Sequence, residues 1–165
     1  MANATDVAKF FLSLDEDHLF NDDTLVEMNG RRLYKGNARL NKYLQLSQNV
    51  FIAKYGKLLF PETVYAYDNG GVVREVQENY RVIISNPIME DVFDKDTEVF
   101  LKRMYITLKN ATLDDLIQIS HEDPAWIEKH NYYRLSDQKM VPMAFINDYR
   151  ERYKDVLILM EKMAV

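Results

Sequence analysis

The stretch RLNKYLQLSQNVFIAKYGKLLFPETVYAYDNGGVVREV, residues Arg39 to Val76, decides the fold. Its first half reads as an amphipathic helix over Asn37 to Tyr55, because Leu40, Tyr43, Leu44, Val50 and Phe51 recur at helical spacing. Gly56 follows as a natural C-cap. Gln48 sits inside the apolar stripe, between Leu44 and Phe51. A buried amide left without partners costs roughly 1–3 kcal/mol. Gln48 is therefore expected to clamp the backbone of the turn at Tyr67 to Val73. That turn carries Gly70 and Gly71 between a short strand, Val64 to Tyr67, and a helix over Val72 to Arg81 that aligns Val73, Val76 and Tyr80.

Working outward, the flanks are helical with one strong β signal. Thr5 is placed to cap a helix running through Leu14, with Val7, Phe10, Phe11 and Leu14 on one face. In TLVEMNGRRLY the pair Asn29-Gly30 predicts a two-residue β-hairpin over residues 24–35. Pro87 to Lys95 reads as a loop, and Asp96 to Leu108 as a helix presenting Leu101, Met104, Tyr105 and Leu108. Thr112 and Asp115 have capping-box spacing for a helix through Ile119. Trp126 to Lys139 lacks periodicity and reads as loop with a short helical turn. Pro142 suits the first position of a last helix reaching Met163. In that helix Ile146, Tyr149, Tyr153, Val156, Met160 and Met163 form a coiled-coil-like seam, widened by Leu157, Ile158 and Leu159. The seam suits packing on the protein's own core, or a homodimer through this C-terminal helix (150–165). The fold class that follows is mainly α, an α-rich α+β arrangement: a single compact helical domain over residues 1–165 with a small hairpin and a short strand.

LNKYLQLSQ, residues 40–48, is similar to the LQKLLYYAQ signature of the Panacea domain, found in SocA-like antitoxins and GepA-like phage-associated proteins. Ala53, Tyr55, Gly56, Leu59 and Phe60 fit the A-x-YG-x-x-LF that follows it there. AYDNGGVVREV resembles AW-x-YGPVVPEVY, and ISHEDPAW resembles the family's later LTHxEDPW-like element. The ordered similarity runs from about Asp6 to Tyr149, with residues 24–35 as an elaboration and 150–165 as an extension. Gly71 and Arg74 stand where the family has prolines, which loosens the turn and adds a positive charge. Ala125 is an insertion between Pro124 and Trp126. The resemblance implies a non-enzymatic antitoxin that binds a cognate toxin encoded beside it, on a prophage or other mobile element. The contact residues it points to are Tyr67, Asn69, Gly70, Gly71 and Arg74, with Trp126 as an anchor, supported from beneath by Leu40, Leu44 and Gln48. Trp126 is open to a second reading, as a buried plug.

Composition narrows the chemistry. The chain has 165 residues, 47% of them apolar, enough for one sizeable core. It has no cysteine, so thiolate nucleophiles, disulfides and cysteine zinc sites are excluded and a cytoplasmic setting is expected. Its longest apolar run is Val156 to Met160, far short of a membrane span. A net charge of −5 disfavours nucleic acid as a direct partner, the nearest basic cluster being Arg31, Arg32 and Lys35. His18, His121 and His130 lack metal-ligand spacing, and Ser47 and Ser120 lack a nucleophile elbow, so no catalytic residue, metal or cofactor is expected. His121 reads as a helix-terminal residue beside a cap. A phage-associated transcriptional regulator or adaptor stays open as a second function, and a small hydrolase as a third, which would need a polar cluster assembled only by the fold.

Overall fold

The central helix is buried all round from Leu40 to Ala53, and every other element is arranged about it. The structure, a computed structural model, describes residues 1–87, 89, 91–134 and 138–165. In chain order these hold α1 (Ala4–Ser13), β1 (Leu25–Met28), β2 (Arg31–Tyr34), α2 (Lys35–Tyr55), β3 (Val64–Tyr67), β4 (Gly70–Val73), α3 (Arg74–Glu78), α4 (Tyr80–Ser85), α5 (Lys95–Leu108), α6 (Leu113–His121) and α7 (Pro124–Lys129). A 3₁₀ turn (Pro142–Phe145), α8 (Ile146–Arg152) and α9 (Lys154–Glu161) complete the chain. The fold is thus a compact, α-rich α+β domain with two small antiparallel hairpins. In the loops expected over Pro87 to Lys95 and Trp126 to Lys139, residues 88, 90 and 135–137 lie outside the described residues.

One side of α2 is apolar and packs on α1 and α5. Phe20 and Tyr43 meet edge to face at 4.8 Å, Phe11 and Tyr43 at 5.5 Å, and Phe51 and Phe100 at 5.2 Å. Such pairs add about 0.5–1.5 kcal/mol each beyond simple area burial. The first hairpin forms as its Asn-Gly pair requires: Asn29 and Gly30 both adopt positive φ, 52° and 74°, as a type I′ turn demands. Gly56 ends α2 in the left-handed conformation, at φ 69°. Thr112 and Asp115 complete their capping box at 3.1 Å in both directions.

Several local expectations are corrected. Helix α1 is capped by Asn3 instead of Thr5: its side chain accepts from the Asp6 N–H at 2.8 Å while Asp6 accepts from the Asn3 N–H at 3.0 Å. The chain after the second glycine turn is a strand instead of a helix start. Gly70–Val73 pairs with Val64–Tyr67, so the lone strand is half of a second hairpin and helix begins only at Arg74. That helix breaks at Asn79, whose side-chain amide donates to the Glu75 carbonyl at 2.8 Å and competes with the helical ladder. The last helix opens with a 3₁₀ turn and is divided at Tyr153, although the Tyr153 N–H still donates to the Tyr149 carbonyl at 2.9 Å.

The seam of α8 and α9 faces inward, with Tyr149, Tyr153 and Met160 buried, while Ile158 and Leu159 are exposed. Lys54 holds Glu161 at 2.6 Å, and the Arg103 guanidinium donates to the Met163 carbonyl at 3.2 Å, tying the C-terminal end to α2 and α5. Truncation before Asp155 uncovers this core surface. The truncated chain is expected to aggregate or lose tertiary packing, measured by light scattering with near-UV circular dichroism. A truncated chain that stays folded and turns from dimer to monomer would instead make the exposed side of α9 a subunit contact.

Candidate functional site

The opposite side of α2 is polar yet buried: Asn41, Lys42, Gln45, Gln48 and Asn49 are each 1–2% exposed. Three of them act as the missing neighbour strand for β4. Gln45 Oε1 accepts from the Gly71 N–H at 2.8 Å, Lys42 Nζ donates to the Gly71 carbonyl at 2.6 Å, and Asn41 Oδ1 accepts from the Val73 N–H at 2.9 Å. On the other edge of the hairpin, Ala66 N–H donates to the Gln138 carbonyl at 2.8 Å and Met140 N–H to the Val64 carbonyl at 2.9 Å. Both edges are therefore closed, which removes the usual liability of a short sheet. The glycines make this approach possible. Gly70 has φ +108°, and a Cβ on it would lie 2.8 Å from Lys42 Cε; a Cβ on Gly71 would lie 2.6 Å from the Gln45 amide.

Gln48 clamps a different segment from the one expected. Its Nε2 donates to the Phe60 carbonyl at 2.9 Å and its Oε1 accepts from the Leu59 N–H at 2.7 Å, one turn of α2 beyond the β3–β4 turn. The residues that hold that turn are Asn41, Lys42 and Gln45. Their signal was a second stripe at helical spacing, polar where the first is apolar.

The two hairpins are locked tip to tip. Asn29 Nδ2 donates to Asn69 Oδ1 at 2.6 Å, Asn69 Nδ2 donates to the Met28 carbonyl at 3.1 Å, and Arg31 Nε meets Asp68 Oδ2 at 2.9 Å. His130 Nε2 lies 2.9 Å from the other Asp68 oxygen. Burial works to raise the Asp68 carboxyl, and the hydrogen bonds from His130 and Arg31 outweigh it, so Asp68 stays below the usual carboxylate range. His121 Nε2 lies 2.9 Å from the Asp68 carbonyl, which only accepts, so that nitrogen carries the proton. Burial lowers His121, outweighing the opposing hydrogen bond to the Asp68 carbonyl, and keeps it neutral at pH 7. Between the two imidazoles lies Trp126, stacked at 4.2 Å on His121 and 4.3 Å on His130, with its Nε1 donating to the Tyr67 carbonyl at 2.8 Å.

Behind this layer, Asp123 is 1% exposed and accepts four hydrogen bonds, from Asn49 at 2.7 Å, Gln45 at 3.0 Å, the Ala125 N–H at 3.0 Å and the Tyr149 hydroxyl at 2.6 Å. Burial first, then the Asp123 charge, pushes the Tyr149 hydroxyl far up, so it remains a donor.

Of the residues taken from the sequence as contacts, Tyr67 and Arg74 are half-buried, whereas Asn69, Gly70, Gly71 and Trp126 are buried. The first pair is accessible and the other four shape the ground beneath it. The Arg74 guanidinium stacks 3.6 Å from the centre of the Tyr65 ring, and its Nε donates to the Tyr67 hydroxyl at 2.9 Å. Leu40 and Leu44 lie fully buried in α2, as supports would. Beside the locked hairpins opens a cleft of about 280 Å³ between β2 and the start of α2, floored by Asn41, Lys42 and Val72 and rimmed by Arg31, Arg32 and Tyr67. Among the described residues, no group of three or more His, Asp or Glu side chains is gathered closely enough to hold a metal ion. No helix among them is long and apolar enough to cross a membrane. The chain matches no family model, no curated protein and no solved structure.

Proposed function

We propose that the chain is a non-enzymatic, antitoxin-like protein of the cytoplasm, which binds and neutralises a toxin encoded beside it on a mobile element. The observation that carries this reading is the bracing of the β3–β4 hairpin, the segment that resembles the Panacea motif. It is held by α2 on one edge, by Gln138–Met140 on the other and by the first hairpin at its tip. A surface fixed in this way loses little conformational freedom on binding, which favours tight association. Tyr67 and Arg74, with the neighbouring Arg31 and Arg32, form its accessible side, which suits an acidic patch on the partner. A stable complex needs about 800 Å² from each partner, so the contact extends beyond these four residues.

The test is co-expression with the product of the adjacent gene, read by growth rescue and by co-purification. The unaltered chain is expected to rescue growth and co-purify. Arg32→Glu, an exposed change, is expected to weaken the complex at least tenfold with stability held within about 0.5 kcal/mol. Arg74→Glu also removes a cation–π stack, and is expected to lose about 1–2 kcal/mol of stability together with binding. Failure of the unaltered chain to bind or rescue would overturn the reading. Full binding by both variants would move the contact elsewhere on the surface.

A further inference from the structure

The cleft beside the hairpins contains a positive charge that its own residues leave unanswered. Lys42 lines its floor, 1% exposed. An ammonium has three N–H donors, and among the described residues Lys42 makes one hydrogen bond, to the Gly71 carbonyl, and pairs with no carboxylate. Burying an unpaired ion is expensive, several kcal/mol even after relaxation. Asp68, the one carboxylate lining the cleft, is already engaged by Arg31 and His130. Arg32 adds a further cation at the exposed rim. In a chain of net charge −5, the cleft is therefore a local reversal of sign, with Lys42, Arg31 and Arg32 against Asp68.

The amides nearest Lys42 are already engaged within the protein: Asn41 donates to Asn37 and accepts from the Val73 N–H, and Asn69 accepts from Asn29 and donates to the Met28 carbonyl. The remaining walls combine the apolar and aromatic surface of Leu33, Tyr34, Tyr67 and Val72 with the polar Asn37 and Gln77. At about 280 Å³ the space lies just below the roughly 300–1,000 Å³ of drug-sized ligand pockets, which fits a small ion or metabolite fragment. We propose that this cleft binds a small ligand through an anionic oxygen group, a carboxylate or a phosphate, seated against Lys42 Nζ with Arg32 at the mouth. The cleft shares Arg31, Arg32 and Tyr67 with the surface assigned to a toxin, but ligand binding to the isolated chain needs no toxin.

Burial holds the Lys42 ammonium down at about 7, so the free protein loses the charge as pH rises and an anion must restore it. Anion affinity is then expected to fall about tenfold per pH unit above 7. The experiment is titration calorimetry on the full chain with succinate as the carboxylate probe and inorganic sulfate as the phosphate stand-in, since each is essentially a dianion throughout the range above about pH 7. Sodium chloride at matched ionic strength is the control. One-to-one binding of either probe, weakening with pH, supports the site, and the preferred probe identifies the group. Lys42→Met is expected to abolish binding. Arg32→Glu, on the surface and away from the core, is expected to weaken it at least tenfold and serves if Lys42→Met fails to fold. Neither probe binding above the chloride control, an affinity flat with pH, or full affinity in Arg32→Glu would each overturn the proposal.

Discussion

Asp123→Ala is expected to be among the most damaging single substitutions in the chain, lowering stability by roughly 4 kcal/mol or more. Four donors converge on this carboxylate from three directions: two amides of α2, the first turn of α7 and the Tyr149 hydroxyl of α8. Each buried donor left unpaired costs about 1–3 kcal/mol. The loss also leaves Gln45 with only a longer bond, 3.3 Å to the Ser120 carbonyl, in place of its 3.0 Å bond to Asp123, which loosens the amide that holds the Gly71 N–H. For a chain of this length the melting temperature should fall by about 10 °C or more. Tyr149→Phe removes one of the four donors and no carboxylate, and is expected to lose only about 1–2 kcal/mol. Thermal denaturation of the two variants checks the ordering. A melting temperature for Asp123→Ala within about 2 °C of the parent would mean that the hub is wet or dispensable.

How far the sequence discloses this arrangement depends on how local each signal is. Asn29-Gly30, the Thr112–Asp115 box and Gly56 act within three or four residues, and each feature they predict is present. Gly70–Val73 was harder, because half of what makes it a strand is three side chains of α2 that lie 26 to 32 residues away. Taken alone, Val72-Val73 before Arg74-Glu75 reads equally well as a helix start. The cluster about Asp68 was out of reach for the same reason on a larger scale: Arg31, His121 and His130 approach it across 37, 53 and 62 residues. Metal-ligand spacing rules could not detect it, since its histidines serve Asp68 and Trp126. Asn41, Gln45, Gln48 and Asn49 repeat at 3 and 4 residues as regularly as the apolar stripe, and a helix with two such faces needs partners on both sides.

Lys42 predicts an unusual dependence of stability on pH. In the unfolded chain the lysine titrates at its ordinary 10.5, whereas burial holds it at about 7 in the fold. Between those values the unfolded state binds one more proton than the folded state, so stability rises with pH at up to about 1.4 kcal/mol per unit. Below about 7 both states carry the proton and the cost of the buried charge is present in full. Tyr43 and Tyr80 act in the opposite sense at the alkaline end: burial raises both to about 12, so above pH 10 the unfolded chain loses phenolic protons first and stability falls. The maximum is thus expected near pH 9 to 10, above the usual range of roughly pH 5 to 8. Denaturant unfolding of the parent and of Lys42→Met at pH 7 and pH 9.5 isolates the lysine, because the other groups are common to both chains. The parent should gain about 3 kcal/mol relative to the variant across that interval. Saturating succinate or sulfate, where it binds, should reduce the gain by keeping the ammonium charged at pH 9.5. Parallel behaviour of the two chains would mean that Lys42 keeps its charge in the fold through contacts other than the Gly71 carbonyl.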